Sequence, residues 1–214
     1  MIIDIYADTT CPWCLIGKRQ LERALRETGR EDAIIRWRAF QIYPHMPDRG
    51  GSRTEWLAYR YPEPVMLRDT MQRLHSLAAR ENVELDWAKL DHLPNTKDSH
   101  RLIRLAADFD CQETIVDSVF EAYFLQQRDI GDRDVLLDIA KSGGLNTDMV
   151  ATHLDSNDGV AEIKSDDQYV RRQGIGAVPL FVFEGEMAFT GAQDMRVFRA
   201  VFDKVDKLIA KRKT

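Results

Sequence analysis

Residues 8–14 read Asp8-Thr9-Thr10-Cys11-Pro12-Trp13-Cys14, and the runs on either side of them predict a strand followed directly by a helix. The run before them, Met1 to Ala7, has the β-branched and aromatic character of a buried strand. The run after them, Leu15 to Thr28, repeats apolar residues at helical spacing. Pro12 suits the first turn of a helix, because it has no N–H to leave unpaired and its φ is already helical. The pattern therefore predicts a Cys-x-x-Cys pair where a helix begins.

The position of the two cysteines predicts redox chemistry. The N-terminus of a helix presents unpaired backbone N–H groups and the positive end of the helix dipole, and both favour a thiolate over a thiol. The thiolate is the reactive species in disulfide exchange. We interpret Cys11 as the attacking and more exposed sulfur, and Cys14, one turn further along the helix, as the resolving sulfur.

Structural zinc binding is the alternative interpretation of two cysteines at this spacing. A zinc site needs two more ligands, commonly a second close pair of Cys or His. Cys111 and the five histidines form no such pair, so we expect no metal. Cys111 itself is either a third redox thiol or a small buried hydrophobe, and its acidic neighbours favour the second interpretation because they disfavour a thiolate. Gly174-x-Gly176 lacks the strand–turn–helix context of a dinucleotide site, so we expect no nucleotide cofactor.

Composition argues against several classes of partner. The 214 residues are 44% hydrophobic and 30% charged, as in an ordinary globular protein. The formal net charge of −5 argues against nucleic acid, because phosphate binding needs a basic face. No apolar run approaches the roughly 20 residues that span a bilayer, so we expect no membrane association. Without a secretory signal before the first strand, we expect a cytoplasmic protein, in which a dithiol is more often catalytic than structural.

Periodicity divides the rest of the chain into strand-containing and helical parts. Residues 33–40 predict a second strand, parallel to the first because a helix connects the two. Residues 65 to about 172 show helical spacing with almost no strand signal, which predicts an inserted helical lobe. Residues 180–183 and 187–189 predict a hairpin, and residues 194 to about 211 predict a last helix.

Short motifs along nearly the whole chain support a family resemblance. They are Asp8 to Cys14 with Ile16-Gly17-Lys18-Arg19, Phe40-x-x-x-Pro44, Pro94-Asn95-Thr96 with Ser99-His100-Arg101-Leu102, Ala122-Tyr123-Phe124, Gly174-Ile175-Gly176-Ala177-Val178-Pro179 and Gly191-Ala192-Gln193. Together with the order of elements, they resemble the FrnE-like, cytoplasmic branch of the DsbA family. The resemblance implies an α/β protein with a thioredoxin fold formed by residues 1–60 and 174–214, into which an all-helical lobe, residues 61–173, is inserted.

The resemblance also implies roles for residues outside the dithiol. It implies a cis peptide bond between Val178 and Pro179 beside the cysteines, with the Val178 backbone pairing with the substrate; a trans proline that starts a strand is the alternative. We expect Trp13 to expose its ring and contact the substrate; packing of the ring on the lobe is the alternative. The family places Asn95 and His100 on the face of the lobe over the active site. Helix capping is the alternative for Asn95, and a structural histidine is the alternative for His100.

Two functions are consistent with this resemblance. The first is a protein-disulfide oxidoreductase, in which the Cys11-Pro12-Trp13-Cys14 dithiol exchanges disulfides with protein, peptide or small-molecule thiols. The second is a glutathione-dependent isomerase or transferase of a small aromatic compound, as in the related 2-hydroxychromene-2-carboxylate isomerases and kappa-class glutathione transferases. The intact cysteine pair favours the first, because the isomerases generally lack the second cysteine. Glutathione as a co-substrate, a homodimer, a chaperone-like binding role and the direction of exchange are left open by the sequence.

Overall fold

The computed structural model of the protein describes residues 1–83, 85 and 90–212. Strands and helices alternate at both ends of the chain, with mainly helices between them. In chain order the elements are β1 (Ile2–Ala7), α1 (Pro12–Glu27), β2 (Ile34–Ala39), β3 (Gly51–Ser52), α2 (Arg53–Arg60), α3 (Pro64–Arg80), β4 (His92–Leu93), α4 (Lys97–Ala106), a 3₁₀ turn (Ala107–Phe109), α5 (Gln112–Phe124), α6 (Arg133–Ser142), α7 (Thr147–Asp155), α8 (Val160–Arg172), β5 (Leu180–Phe183), β6 (Met187–Thr190) and α9 (Met195–Arg212).

A four-stranded sheet in the order β2-β1-β5-β6 carries the candidate dithiol. As predicted, β1 and β2 are parallel and α1 connects them, with Ile2 opposite Ile34 and Ala7 opposite Ala39. β5 pairs antiparallel with β1, and β6 pairs antiparallel with β5 as the second strand of a hairpin. β1 is an inner strand of the sheet. Residues 8–14 follow its carboxyl end, so they lie near the middle of one end of the sheet and not beside an edge strand.

α9 covers one face of the sheet through aromatic contacts. Phe198 packs edge-on against Phe181 with ring centroids 5.6 Å apart, and Phe202 packs in the same way against Phe183 at 6.0 Å. All four rings are buried, and burial of each contributes about 1.5–3 kcal/mol. The cross-strand partner of Phe181 is Ile5 of β1, which therefore lies on the same face.

α8 covers the opposite face of the sheet. Tyr6 follows Ile5 in β1 and so points the other way, and it stacks on Tyr169 of α8 with ring centroids 5.4 Å apart. α8 also packs against β2 and α4. The end of the predicted helical insert thus forms one layer of the thioredoxin-fold part. The domain ranges themselves stay a prediction, and residues 84, 86–89, 213 and 214 within them lie outside the described residues.

The helical part differs from the sequence prediction in one small sheet. β3 pairs antiparallel with β4, two residues from each, so that residues 51–52 lie beside residues 92–93. Gly50, with φ +71°, makes this approach possible, because a Cβ atom there would lie 2.6 Å from the Leu93 carbonyl oxygen. In the part of the chain that the structure describes, no helix combines the length and apolar character needed to cross a bilayer.

Candidate active site

The turn between β1 and α1 is held by Asp8, which is only 1% exposed. Its Oδ1 accepts hydrogen bonds from the N–H and the hydroxyl of Thr10, both at 2.9 Å, and its carbonyl accepts the Cys11 N–H at 3.1 Å. Its Oδ2 accepts the Ile42 N–H at 2.6 Å. Asp8 therefore fixes both the start of α1 and the chain that leaves β2. This role of Asp8 was not predicted, although Asp side chains commonly accept the backbone N–H two residues further on in a turn.

Cys11 is the N-cap residue of α1 and Pro12 is its first residue, as predicted. Both thiols are free and buried, with Cys11 4% exposed and Cys14 0% exposed. Cys11 is thus the more exposed sulfur, although little of it reaches solvent. Burial raises the pKa of the Cys14 thiol well above its ordinary value, and its hydrogen bond and Coulomb interaction with Cys11 act in the same direction. Cys14 is therefore held as a neutral thiol beneath Cys11.

The loop before β5 lies directly beside Cys11. The Val178–Pro179 peptide bond is cis, and both residues are buried. The Val178 carbonyl accepts a long hydrogen bond of 3.9 Å from the Cys11 thiol. The Pro179 carbonyl accepts the Gly191 N–H at 2.7 Å, which ties the loop to the residue after β6. This arrangement holds a backbone carbonyl next to the candidate attacking sulfur.

A cavity of about 290 Å³ opens over the N-terminus of α1 and reaches Cys11. Its aromatic wall comes from residues that the sequence analysis did not connect with the dithiol. Tyr43 and Trp56 pack edge to face with ring centroids 5.3 Å apart, and Trp56 and Tyr61 do so at 6.4 Å. Tyr123 of α5 also lines the cavity and is buried. A signal was present in the aromatic and arginine-rich run of residues 53–61, directly after a loop.

Arginine side chains give the cavity a positive character. Arg53 and Arg60 line it, and its described lining residues include no carboxylate. Arg53 is 7% exposed, donates to the Leu90 carbonyl at 3.2 Å, and has its pKa lowered by burial. The Arg60 guanidinium lies 5.3 Å from the centroid of the Tyr61 ring. The mouth of the cavity therefore combines aromatic faces with cationic groups.

Trp13 lines the cavity but is partly buried, whereas we expected an exposed ring. The indole packs against the main core and also against a second, smaller apolar cluster between α1 and α3. The Arg73 guanidinium lies 5.9 Å from the centroid of its ring. The prediction of an exposed ring was wrong because α3 lies against the start of α1. Its predicted contact with the substrate stays a prediction.

Asn95 lies two residues before the first residue of α4. Its Oδ1 accepts the Lys97 N–H at 2.9 Å, and its Nδ2 donates to the Met46 carbonyl at 2.6 Å. Asn95 precedes the N-cap residue of α4, which is Thr96, so its side chain closes a turn onto the first N–H of the helix and does not cap it from the N-cap position. Asn95 is not among the described residues that line the cavity over Cys11. Its role in substrate binding stays a prediction without support from these contacts.

His100 lies deeper in α4 and is 4% exposed. Burial lowers its pKa, while the charges of Asp8 and Asp167 and a hydrogen bond to the Phe40 backbone oppose this effect. It borders a separate cavity of about 10 Å³ beside Asp8, and it is not among the described residues that line the cavity over Cys11. This placement matches the structural alternative for His100, and a catalytic role stays a prediction.

Cys111 is the N-cap residue of α5, and its thiol donates to the Ala106 carbonyl at 3.6 Å. Burial raises the pKa of this thiol, and the charge of Asp110 adds to the effect. Both effects disfavour a thiolate, in agreement with the inert interpretation. Among the described residues, no group of three or more His, Cys, Asp or Glu side chains has the arrangement of a metal site.

Comparisons with known proteins agree with this geometry. A family model described as a DSBA-like thioredoxin domain matches residues 2–203. The chain is similar to the structure of a probable DsbA oxidoreductase from Streptomyces coelicolor, with 26% identity, a TM-score of 0.86, and 96% of this chain and 89% of that chain covered.

Two further solved structures show the same fold at lower identity. One is a 2-hydroxychromene-2-carboxylate isomerase, with 15% identity and a TM-score of 0.68. The other is the cytosolic disulfide reductase DsbM from Pseudomonas aeruginosa with GSH, with 17% identity and a TM-score of 0.64. Both comparisons cover 100% of each chain. The fold is thus the DsbA-like thioredoxin fold predicted from the sequence, and the chain belongs to the family of DSBA-like thioredoxin domains.

Proposed function

We propose that this protein is a thiol–disulfide oxidoreductase that uses Cys11 and Cys14 as its redox pair. The observation that carries the proposal is the arrangement of the two thiols. Cys11 caps a helix N-terminus at the end of a cavity, and Cys14 is fully buried beneath it. A helix N-terminus stabilises a thiolate, and a cavity gives that thiolate a place to meet a substrate sulfur.

The exchange has two steps, each with a role for a named group. The Cys11 thiolate attacks a substrate disulfide, forms a mixed disulfide and releases one substrate thiolate. Cys14 then loses its proton and attacks the Cys11 sulfur, which closes the Cys11–Cys14 disulfide and releases the second thiolate. The raised pKa of Cys14 keeps it protonated until this second step. The reverse sequence oxidises a substrate dithiol, and the two thiols carry both electrons without a further cofactor.

A cytoplasmic location is part of the proposal. The chain has three cysteines, too few for a disulfide-stapled scaffold, and DsbM, which shares its fold, is named as a cytosolic disulfide reductase. The same similarity supports small thiols such as glutathione as partners, beside protein and peptide thiols. The sequence leaves a homodimer open, and size-exclusion chromatography with light scattering tests it.

A redox titration in glutathione buffers tests the proposed function. Thiols are trapped by alkylation and counted by mass spectrometry, in the unchanged protein and in Cys11→Ser, Cys14→Ser and Cys111→Ser. We expect one two-electron transition that is absent from the first two variants and unchanged in the third, which is the matched control. If the protein binds glutathione but forms no Cys11–Cys14 disulfide at any ratio of reduced to oxidised glutathione, the proposal is contradicted. That result favours the glutathione-dependent isomerase instead.

A further inference from the structure

We propose that the cavity over Cys11 selects small disulfides that carry both an aromatic ring and a negative charge. This inference rests on the proposed oxidoreductase function and names the substrate class of the same site. Three properties of the cavity support it, namely its size, its aromatic wall and its charge.

The size of the cavity restricts what reaches the sulfur. Cys11 is 4% exposed, so a substrate sulfur reaches it through the cavity of about 290 Å³. This volume lies just below the range for pockets that enclose small molecules, roughly 300–1,000 Å³. It accommodates one aromatic thiol half of a small disulfide. Residues of both α2 and α3 line the cavity, so a disulfide in a folded protein, which is flanked by chain on both sides, has to enter between these helices.

The wall of the cavity favours a planar group. The ring of Trp56 lies between Tyr43 and Tyr61 and meets each of them edge to face. Aromatic rings prefer such edge-to-face and offset arrangements, so a ring that enters the cavity extends a set of contacts already in place. An aliphatic substituent of the same length has no ring with which to form these contacts.

The charge of the cavity favours an anion. Arg60 lines it and is exposed, and no carboxylate is among the described residues that line the cavity. The Arg60 guanidinium lies against the Tyr61 ring, at the wall where an aromatic substrate would pack. A guanidinium binds a carboxylate through paired N–H groups, so an aromatic ring that bears a carboxylate satisfies both parts of the wall. A cationic disulfide meets repulsion at the same place.

The proposed reaction balances in thiols and electrons. The Cys11 thiolate attacks one sulfur of an aryl disulfide, forms a Cys11–aryl mixed disulfide and releases one aryl thiolate. Cys14 gives up its proton to solvent and attacks the Cys11 sulfur, which forms the Cys11–Cys14 disulfide and releases the second aryl thiolate. The protein dithiol loses two electrons, and the aryl disulfide gains them.

Oxidation rates of the reduced protein by four disulfides test the proposal. The probes are dithiobis(2-nitrobenzoate), which is aromatic and anionic, dithiodipyridine, which is aromatic and neutral, cystamine, which is aliphatic and cationic, and insulin as a folded-protein disulfide. Each rate is divided by the rate of the same probe with dithiothreitol, because the probes differ in intrinsic reactivity. We expect the corrected rates to fall in that order, with at least about tenfold between the first probe and cystamine at low salt.

Two variants and two matched controls separate charge from aromatic contact. Arg60→Gln lowers the preference for the anionic probe over the neutral one by roughly three- to tenfold, whereas Arg68→Gln, exposed on α3, leaves it unchanged. Trp56→Leu lowers the corrected rates of both aromatic probes but not that of cystamine. Tyr59→Leu, 84% exposed on the same helix, leaves all rates unchanged.

The outcomes distinguish this inference from the proposed function. If no probe oxidises the Cys11–Cys14 pair, the oxidoreductase function itself is contradicted. If all four probes oxidise it at equal corrected rates, or insulin reacts fastest, the function stands and the substrate class proposed here is overturned. Rates that follow the expected order but do not respond to Arg60→Gln overturn the assignment of the charge preference to this cavity.

Discussion

Gly17 and Pro179 approach each other so closely that a Cβ atom on Gly17 would lie 2.8 Å from Cγ of Pro179. Phe181, the second residue of β5, closes the same gap from the other side, with its Cζ 3.2 Å from that position. Gly17 therefore sets how near α1 comes to the loop before β5. That distance in turn sets the contact between the Cys11 sulfur and the Val178 carbonyl, 3.9 Å apart.

Substitution of Gly17 by Ala should loosen this contact. The added methyl group must displace a proline ring atom and the edge of a buried Phe, and overpacking of this kind costs about 1–3 kcal/mol. The higher helix propensity of Ala offsets about 0.5–1 kcal/mol of that cost. We expect urea unfolding to give Gly17→Ala a lower free energy of unfolding than the unchanged protein. We also expect Cys11 of this variant to react more slowly with disulfides.

The matched control for Gly17→Ala is Gly176→Ala in the loop itself, where a Cβ atom has nothing within 4 Å. It should leave the free energy of unfolding unchanged. Equal stability of the two variants would contradict the argument from close approach.

The resolving step should depend steeply on pH. Burial raises the pKa of the Cys14 thiol, so only a small fraction is deprotonated at neutral pH. That fraction, and with it the rate at which Cys14 displaces glutathione from a Cys11 mixed disulfide, should rise roughly tenfold per pH unit between pH 6 and 8. Quenched-flow alkylation of a preformed mixed disulfide measures this rate. Cys14→Ser should leave the mixed disulfide intact at every pH, and a rate that is flat across this range would show that Cys14 is not the group being deprotonated.

Local patterns predicted most of the fold. The apolar spacing of residues 15–28 and the β-branched run of residues 1–7 identified α1 and β1, because helical and strand periodicities are properties of short segments. The pairing of β3 with β4 was not predicted. Each strand is two residues long, and some 40 residues of chain separate them, so tertiary contacts rather than any local pattern determine the pair.

The candidate site was predicted only in part, for a similar reason. Cys11, Pro12 and Cys14 are neighbours in the sequence, and the turn that Asp8 holds is local. Trp56, by contrast, lies in α2, and the irregular loop before α2 determines where this helix sits over the cavity. No periodicity in the sequence predicts the path of that loop. Burial of Trp13 equally depends on where α3 packs. The composition of residues 53–61 was visible in the sequence, but their position over the dithiol was not.

Stability should fall on mild acidification, partly because of His100. Burial lowers the pKa of this side chain, so the unfolded chain binds a proton at a higher pH than the folded chain does. Below the unfolded value of about 6.5 the unfolded state binds more protons, and the free energy of unfolding therefore decreases as pH falls toward the folded pKa. Burial and the charge of Arg101 lower the pKa of His153 as well, so His153 adds to the effect.

Urea unfolding at pH 5.5 and pH 7.5 measures the contribution of His100. We expect His100→Gln to reduce the difference in free energy of unfolding between the two conditions. His75→Gln, at an exposed position of α3, is the matched control and should keep the full difference. A difference that survives His100→Gln unchanged would assign the acid sensitivity to other groups.

Arg101 should be among the most important single side chains for stability. It is 2% exposed, and its guanidinium caps the end of α7 by donating to the carbonyls of His153, Leu154, Ser156 and Asp158 at 2.5–3.1 Å. The carbonyls of His153 and Leu154 belong to the last turn of α7, and that of His153 also accepts the Ser156 N–H at 3.2 Å and the Ser156 hydroxyl at 2.8 Å. Arg101 also pairs with Asp98, 2.9 Å away, which lies one turn before it in α4. One side chain therefore joins α4 to the loop after α7.

Arg101→Met keeps the length and apolar stem of the side chain but removes every donor, so four backbone carbonyls lose their hydrogen bond from Arg101 at once. We expect a loss of at least about 3 kcal/mol in the free energy of unfolding, since a hydrogen bond from a charged group contributes about 1.5–3 kcal/mol and Arg101 donates to four backbone carbonyls. Arg101→Lys keeps the charge but not the planar fork, and its loss should be intermediate. The matched control is Arg133→Met. It removes the exposed ion pair between Arg133 of α6 and Asp155, the last residue of α7, and should change stability little. If urea unfolding gives Arg101→Met and Arg133→Met the same midpoint, the cap does not stabilise the lobe.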